Sequence, residues 1–88
     1  MSKAPITLLV VDDQTIVRKG IRALLEQVDD IRVIGEAADG EEAVSQAKLL
    51  NPDVILMDLM MPKMDGQAFL RELRHFETHD MRARVLAF

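Results

Sequence analysis

The 88-residue sequence contains no cysteine, which excludes both a disulfide framework and a thiolate metal site. That absence agrees with a cytoplasmic protein. Long apolar runs are missing too. Leu8 to Val11 is far too short to span a bilayer, and the N-terminal stretch lacks a signal-peptide layout, so no membrane partner is expected. Positive charge is sparse: the net charge is −4, and the basic residues are scattered along the chain, several beside acids such as Glu36, Asp39, Glu41 and Glu42. Nucleic-acid binding draws its affinity from clustered Lys and Arg, so no direct nucleic-acid contact is expected from this segment. Repeats, low-complexity tracts and linkers are absent as well. A chain of this length holds one domain, and residues 1–88 are read as a single unit.

What is present is an alternation of two periodicities. Ile6 to Val11 is a nearly continuous apolar run ending in acids, the pattern of a strand buried on both faces. Gln14 to Val28 follows, with Ile16, Val17, Ile21, Leu24, Leu25 and Val28 at helical spacing. Ile31, Val33 and Gly35 alternate with more polar neighbours and predict a second strand. Asp39 and Glu42 make a D-x-x-E helix start, Ala43, Val44, Ala47 and Leu50 its apolar face, and Asn51-Pro52 its stop. Val54 to Met57 is a third apolar strand, again ending in an acid. Asp65-Gly66 opens a third helix with Phe69, Leu70, Leu73 and Phe76 inward, and Ala83 to Phe88 forms a fourth strand.

Such β-α-β-α-β-α-β order implies an α/β fold: a doubly wound parallel sheet with right-handed crossovers and helices on both faces. Open sheets of this kind bind ligands at the carboxyl ends of strands where the strand order reverses, which in a 2-1-3-4-5 order lies between the first and third strands. Those are the strands that end in carboxylates. Asp12 and Asp13 follow the first, and Asp58 follows the third. Three converging carboxylates would repel one another unless a cation sits among them. Oxygen-only donors suit a hard ion such as Mg2+. A strand-end carboxylate beside that ion can attack phosphorus and form an acyl phosphate.

Several segments resemble a known family. Leu8 to Asp13 looks like the first strand and acidic pair of receiver domains in two-component signalling. Pro52 through Gly66, with Asp58, Pro62 and Met64-Asp65-Gly66, looks like the family's phosphoacceptor motif. Val33 to Ala37, Asp39 to Val44, and Val17-Arg18-Lys19-Gly20 are similar to receivers of NarL/LuxR-type transcription regulators. The resemblance covers essentially the whole chain and implies the flavodoxin-like (CheY-like) fold. It implies Asp58 as phosphoacceptor from a histidine kinase, metal ligation by Asp13, Asp58 and the backbone carbonyl of Met60, and a water-mediated contact from Asp12. A transcription output domain, outside this segment, is implied by the subfamily. The family's pattern runs to about 120 residues. On that pattern the segment lacks the fourth-strand Ser/Thr, the fifth-strand Lys, the aromatic switch residue and the last two helices. Gln14 stands where His is common.

Each feature has an ordinary structural explanation when taken alone. Acids after a strand are commonly turn or cap residues. Met57, Met60, Met61 and Met64 read as core or loop filler. His75 and His79 are four apart near a helix end, with no third ligand evident. The combination favours a phosphoacceptor, not a turnover enzyme. A phosphohydrolase with an Asp nucleophile, resembling the haloacid dehalogenase group, needs a second Asp where Met60 stands. A flavodoxin-type cofactor site is disfavoured because Asp12-Asp13-Gln14-Thr15 offers acids where a phosphate loop offers Gly and backbone amides. A truncated receiver acting only as an interaction module is the remaining alternative, because an open sheet edge invites a homo-oligomer, either an edge-paired or an exchanged dimer.

Overall fold

Leu8, Leu9, Val10 and Val11 are all buried, and this follows from their place at the centre of a parallel sheet. The computed structural model describes residues 4–58 and 84–87. Within them the chain forms β1 (Ile6–Val11), α1 (Thr15–Leu25), β2 (Ile31–Ala37), α2 (Gly40–Leu50), β3 (Val54–Met57) and β4 (Arg84–Ala87). The sheet order is β2-β1-β3-β4, with every pair parallel. The expected third helix, Met60, and the two histidines lie outside the described residues.

Right-handed crossovers account for the layering. The step from β1 to β2 and the step from β2 to β3 run in opposite directions, so α1 and α2 fall on opposite faces. On one face Leu8, Val10 and Val33 pack with Ile21 and Leu25 of α1, and with Ile31, Val54 and Leu56. On the other, Leu9, Val11, Ala37, Ile55 and Met57 meet Ala43, Val44 and Ala47 of α2, with Val85 of β4 against them. The side-chain period of two in β1 therefore feeds two separate cores. Fully burying large apolar side chains such as Leu9, Ile55 and Met57 contributes about 1.5–3 kcal/mol each.

The helix ends follow local chemistry. The Asp39 carboxylate accepts from the Glu42 amide at 2.7 Å, capping α2 as the D-x-x-E pattern predicts. Asn51 closes α2 in the left-handed region (φ 47°) and donates its N–H to the Ala47 carbonyl, and Pro52 follows. Helix α1 stops at Leu25, three residues before the expected Val28. The Gln27 and Val28 amides bond three residues back, to Leu24 and Leu25. The tightened turn reverses the chain for β2. The expected apolar stripe of α1 is also only partly inward. Ile21 and Leu25 pack on the sheet, whereas Ile16, Val17, Leu24 and Val28 are exposed.

One irregularity lies beside a glycine. The β1–β2 register slips by one residue between Leu8 and Leu9, so Leu8 faces Val33 and Leu9 faces Gly35. A Cβ on Gly35 would lie 2.6 Å from Leu50 Cδ1 and 3.2 Å from Leu9 Cδ1. The end of α2 closes on the sheet at a place where only glycine fits without displacement. At the opposite end of the sheet from the acids, Thr7 N and Oγ1 both donate to Asp53 Oδ2 (2.9 and 3.0 Å), and Asp53 N donates to Thr7 Oγ1 at 2.9 Å. That mutual pair locks the start of β1 to the start of β3.

Candidate functional site

Strand pairing brings the acids together at the carboxyl end of the sheet. Val11 of β1 and Met57 of β3 are register partners, so Asp12 and Asp58 are the next residues on adjacent strands. The ladder continues one step past both strand ends. Asp12 N donates to the Ala37 carbonyl at 3.0 Å, and Asp58 N donates to the Val11 carbonyl at 3.3 Å. This is the point where the strand order reverses, as the sequence pattern predicts.

The two acids after β1 are placed differently. Asp12 is 1% exposed. Its Oδ1 accepts from the Gln14 amide at 2.9 Å, a side-chain turn that leads the chain into α1. Its Oδ2 is buried and has no hydrogen-bond partner among the described residues. A buried carboxylate oxygen without a partner is costly, so something in the working protein must satisfy it. Asp13 and Asp58 are half-buried. Among the described residues no group of three or more His, Cys, Asp or Glu side chains is arranged to hold a metal ion. Strand geometry thus puts the three carboxylates at one end of the sheet without drawing their oxygens into a ready-made cage. Met60, the fourth expected donor, is outside the described residues.

Beside the acidic pair lies an ionic cluster that the scattered look of the basic residues concealed. Glu36 is the penultimate residue of β2 and its only acid. It accepts from Arg18 Nε (2.9 Å), Lys19 Nζ (3.0 Å) and Arg22 Nη1 (2.6 Å). Burial alone would raise its pKa, but the hydrogen bonds from Arg22, Lys19 and Arg18 prevail and lower it from 4.5 to about 2. Arg18 also donates from Nη1 to the Asp12 carbonyl at 2.8 Å. The signal available in the sequence was a lone acid in the second strand, together with Arg18 and Arg22 four apart on one helix face.

Comparison with known proteins places this geometry in context. Residues 8–87 match the family model described as the response regulator receiver domain. The nitrate/nitrite response regulator protein NarL of Escherichia coli (strain K12) is 38% identical over 87 residues, covering 99% of this chain and 39% of that protein. This chain therefore spans well under half the length of that relative. The signal receiver domain of the putative response regulator NarL from Mycobacterium tuberculosis superposes with a TM-score of 0.85 at 34% identity, over 97% of this chain and 66% of the other. A CheX-CheY-BeF3-Mg+2 complex from Borrelia burgdorferi matches with a TM-score of 0.76 at 35% identity, over 96% of this chain and 61% of the other. No helix among the described residues is long and apolar enough to cross a membrane.

Proposed function

This chain belongs to the response regulator receiver domain family, of the NarL/LuxR type, and from that premise we propose that residues 1–88 act as one phosphoacceptor unit in which Asp58 receives a phosphoryl group from a histidine kinase. The observation that carries the reading is the adjacency of Asp12-Asp13 and Asp58 at the carboxyl ends of β1 and β3, where the strand order reverses. An Asp58 carboxylate oxygen attacks the phosphorus of the kinase phosphohistidine, the P–N bond breaks, and the ring, already protonated on its other nitrogen, leaves as neutral imidazole while an acyl phosphate forms on Asp58. The residues fit a Mg2+ ion. The donors are oxygen only, and the buried Asp12 Oδ2 lacks a partner among the described residues. Asp13, Asp58 and the Met60 carbonyl would hold the ion and Asp12 would reach it through water. When bound, Mg2+ neutralises charge on the phosphoryl oxygens. The named relative with Mg2+ in its complex agrees with that choice of ion.

Acetyl phosphate with Mg2+ should add one phosphoryl mass to the wild-type chain and none to Asp58→Asn. Labelling that survives the substitution would refute the assignment. The phosphorylated domain serves a cytoplasmic transcription regulator through an output domain beyond this segment. The chain itself is a signalling element, not a turnover enzyme. Exposed Ile16 and Leu24 on α1, and Leu86 on β4, favour self-association as a second property of the same unit.

A further inference from the structure

The acidic pair is held from behind by one side chain. Asp12 has four polar groups that can hydrogen-bond, and three of them are committed. Its N–H goes to Ala37, its Oδ1 accepts from Gln14, and its carbonyl accepts from Arg18 Nη1 at 2.8 Å. Only Oδ2 has no partner among the described residues. The Asp12 carbonyl belongs to the same rigid peptide plane as the Asp13 N–H, so a donor fixed on that oxygen also fixes where the Asp13 backbone begins.

Arg18 is suited to that task and its neighbours are not. Its side chain is 12% exposed, and its guanidinium fork reaches two acceptors on neighbouring strand ends, Glu36 Oε1 and Asp12 O. Lys19 is 61% exposed and Arg22 38% exposed, and they pair with Glu36 and, for Arg22, Glu26. Solvent-exposed contacts order little, whereas a buried planar fork fixes direction as well as distance. Glu36 in turn is gripped by three cations, so the fork has a fixed anchor.

We propose that Arg18 is a positioning residue for the metal-binding acids: anchored by Glu36, it orients the Asp12–Asp13 peptide and thereby sets the affinity of the site for a divalent cation. The proposal rests on the phosphoacceptor reading of Asp12, Asp13 and Asp58 given above. It assigns Arg18 no contact with the ion or the phosphoryl group. Its effect passes through the backbone, as partners behind metal ligands commonly act.

The test is a titration of the full chain with Mg2+ alone, followed by backbone amide NMR shifts, in wild type, Arg18→Ala, Arg18→Lys, Arg22→Ala and Asp13→Asn. Denaturant midpoints are measured on the same samples. Arg18→Ala should weaken Mg2+ binding about tenfold. Arg18→Lys keeps a charge opposite Glu36 but not the planar fork, so it should stay folded and still lose most of that affinity. Arg22→Ala should lower stability while leaving the affinity unchanged. Without metal, the Asp13 and Gln14 amides should exchange faster in both Arg18 variants than in Arg22→Ala. Wild-type affinity in Arg18→Lys, or equal losses in the Arg18 and Arg22 variants, would overturn the positioning role. Failure of wild type to bind Mg2+ more tightly than Asp13→Asn would instead overturn the metal-site reading on which it rests.

Discussion

At the scale of single residues, Glu36 shows how a charge can be kept inside a protein's edge. Its carboxyl is nearly buried yet remains ionised because three cations donate to it. A folded-state pKa below the unfolded value contributes stability that is present above about pH 4.5 and lost as pH falls toward about 2. Glu36→Gln should therefore cost about 1–2 kcal/mol at pH 7, discounted for the solvent that reaches Lys19 and Arg22. Urea unfolding of both proteins across pH should show a constant gap down to about pH 5 that closes by about pH 2. A gap that persists at the acid end would mean the glutamine is harmful for packing reasons and not for its missing charge. The sequence alone placed Asp12, Asp13 and Asp58 just past the ends of β1 and β3, because strand ends are legible from apolar runs. It missed the Glu36 cluster because that depends on how α1 turns over β2, a rotation that no linear spacing records.

At the scale of elements, most boundaries were legible where a residue type suited to the end stands there. Asp39, Asn51 and Pro52 mark α2 at both ends, and the apolar run of β1 gives its bounds directly. Helix α1 was harder. Its N-terminus has no side-chain cap bond, and its apolar residues continue to Val28 although the helix ends at Leu25. Helical spacing cannot tell a stripe that meets the sheet, such as Ile21 and Leu25, from apolar residues that face water, such as Ile16 and Leu24. The register slip between Leu8 and Leu9 was equally invisible, as was the close approach of Leu50 to Gly35. Strand β4 pairs only with β3 among the described residues, and Leu86, across from Leu56, is exposed. An exposed apolar side chain on that strand favours pairing with a second copy. Light scattering should return a mass above the monomer, falling to the monomer mass in Leu86→Lys. A wild-type chain that scatters as a monomer while unfolding cooperatively would remove the case for self-association.

At the scale of the whole molecule, β1 and β3 carry opposite solutions at their two ends. At the start, Thr7 and Asp53 satisfy each other through three short hydrogen bonds. At the finish, Asp12 keeps a buried oxygen without a partner among the described residues. Five steps along the strand lead from Thr7 to Asp12, about 16 Å at roughly 3.3 Å per residue, which is far enough for the two ends to act independently. Thr7→Val should lower stability by about 1 kcal/mol by removing the hydroxyl bonds and leave Mg2+ affinity untouched. Asp12→Asn replaces a buried charge with a neutral group of the same shape. It should raise the stability of the metal-free protein by about 1 kcal/mol, the usual direction when a functional charge is removed. Saturating Mg2+ should erase that advantage, since the ion stabilises the form that binds it better. The double variant should match the sum of the single effects within about 0.5 kcal/mol. Stability of Asp12→Asn below wild type without metal would show that the Asp12 charge is already compensated inside the fold, and would remove the strain from which the metal assignment draws its physical support.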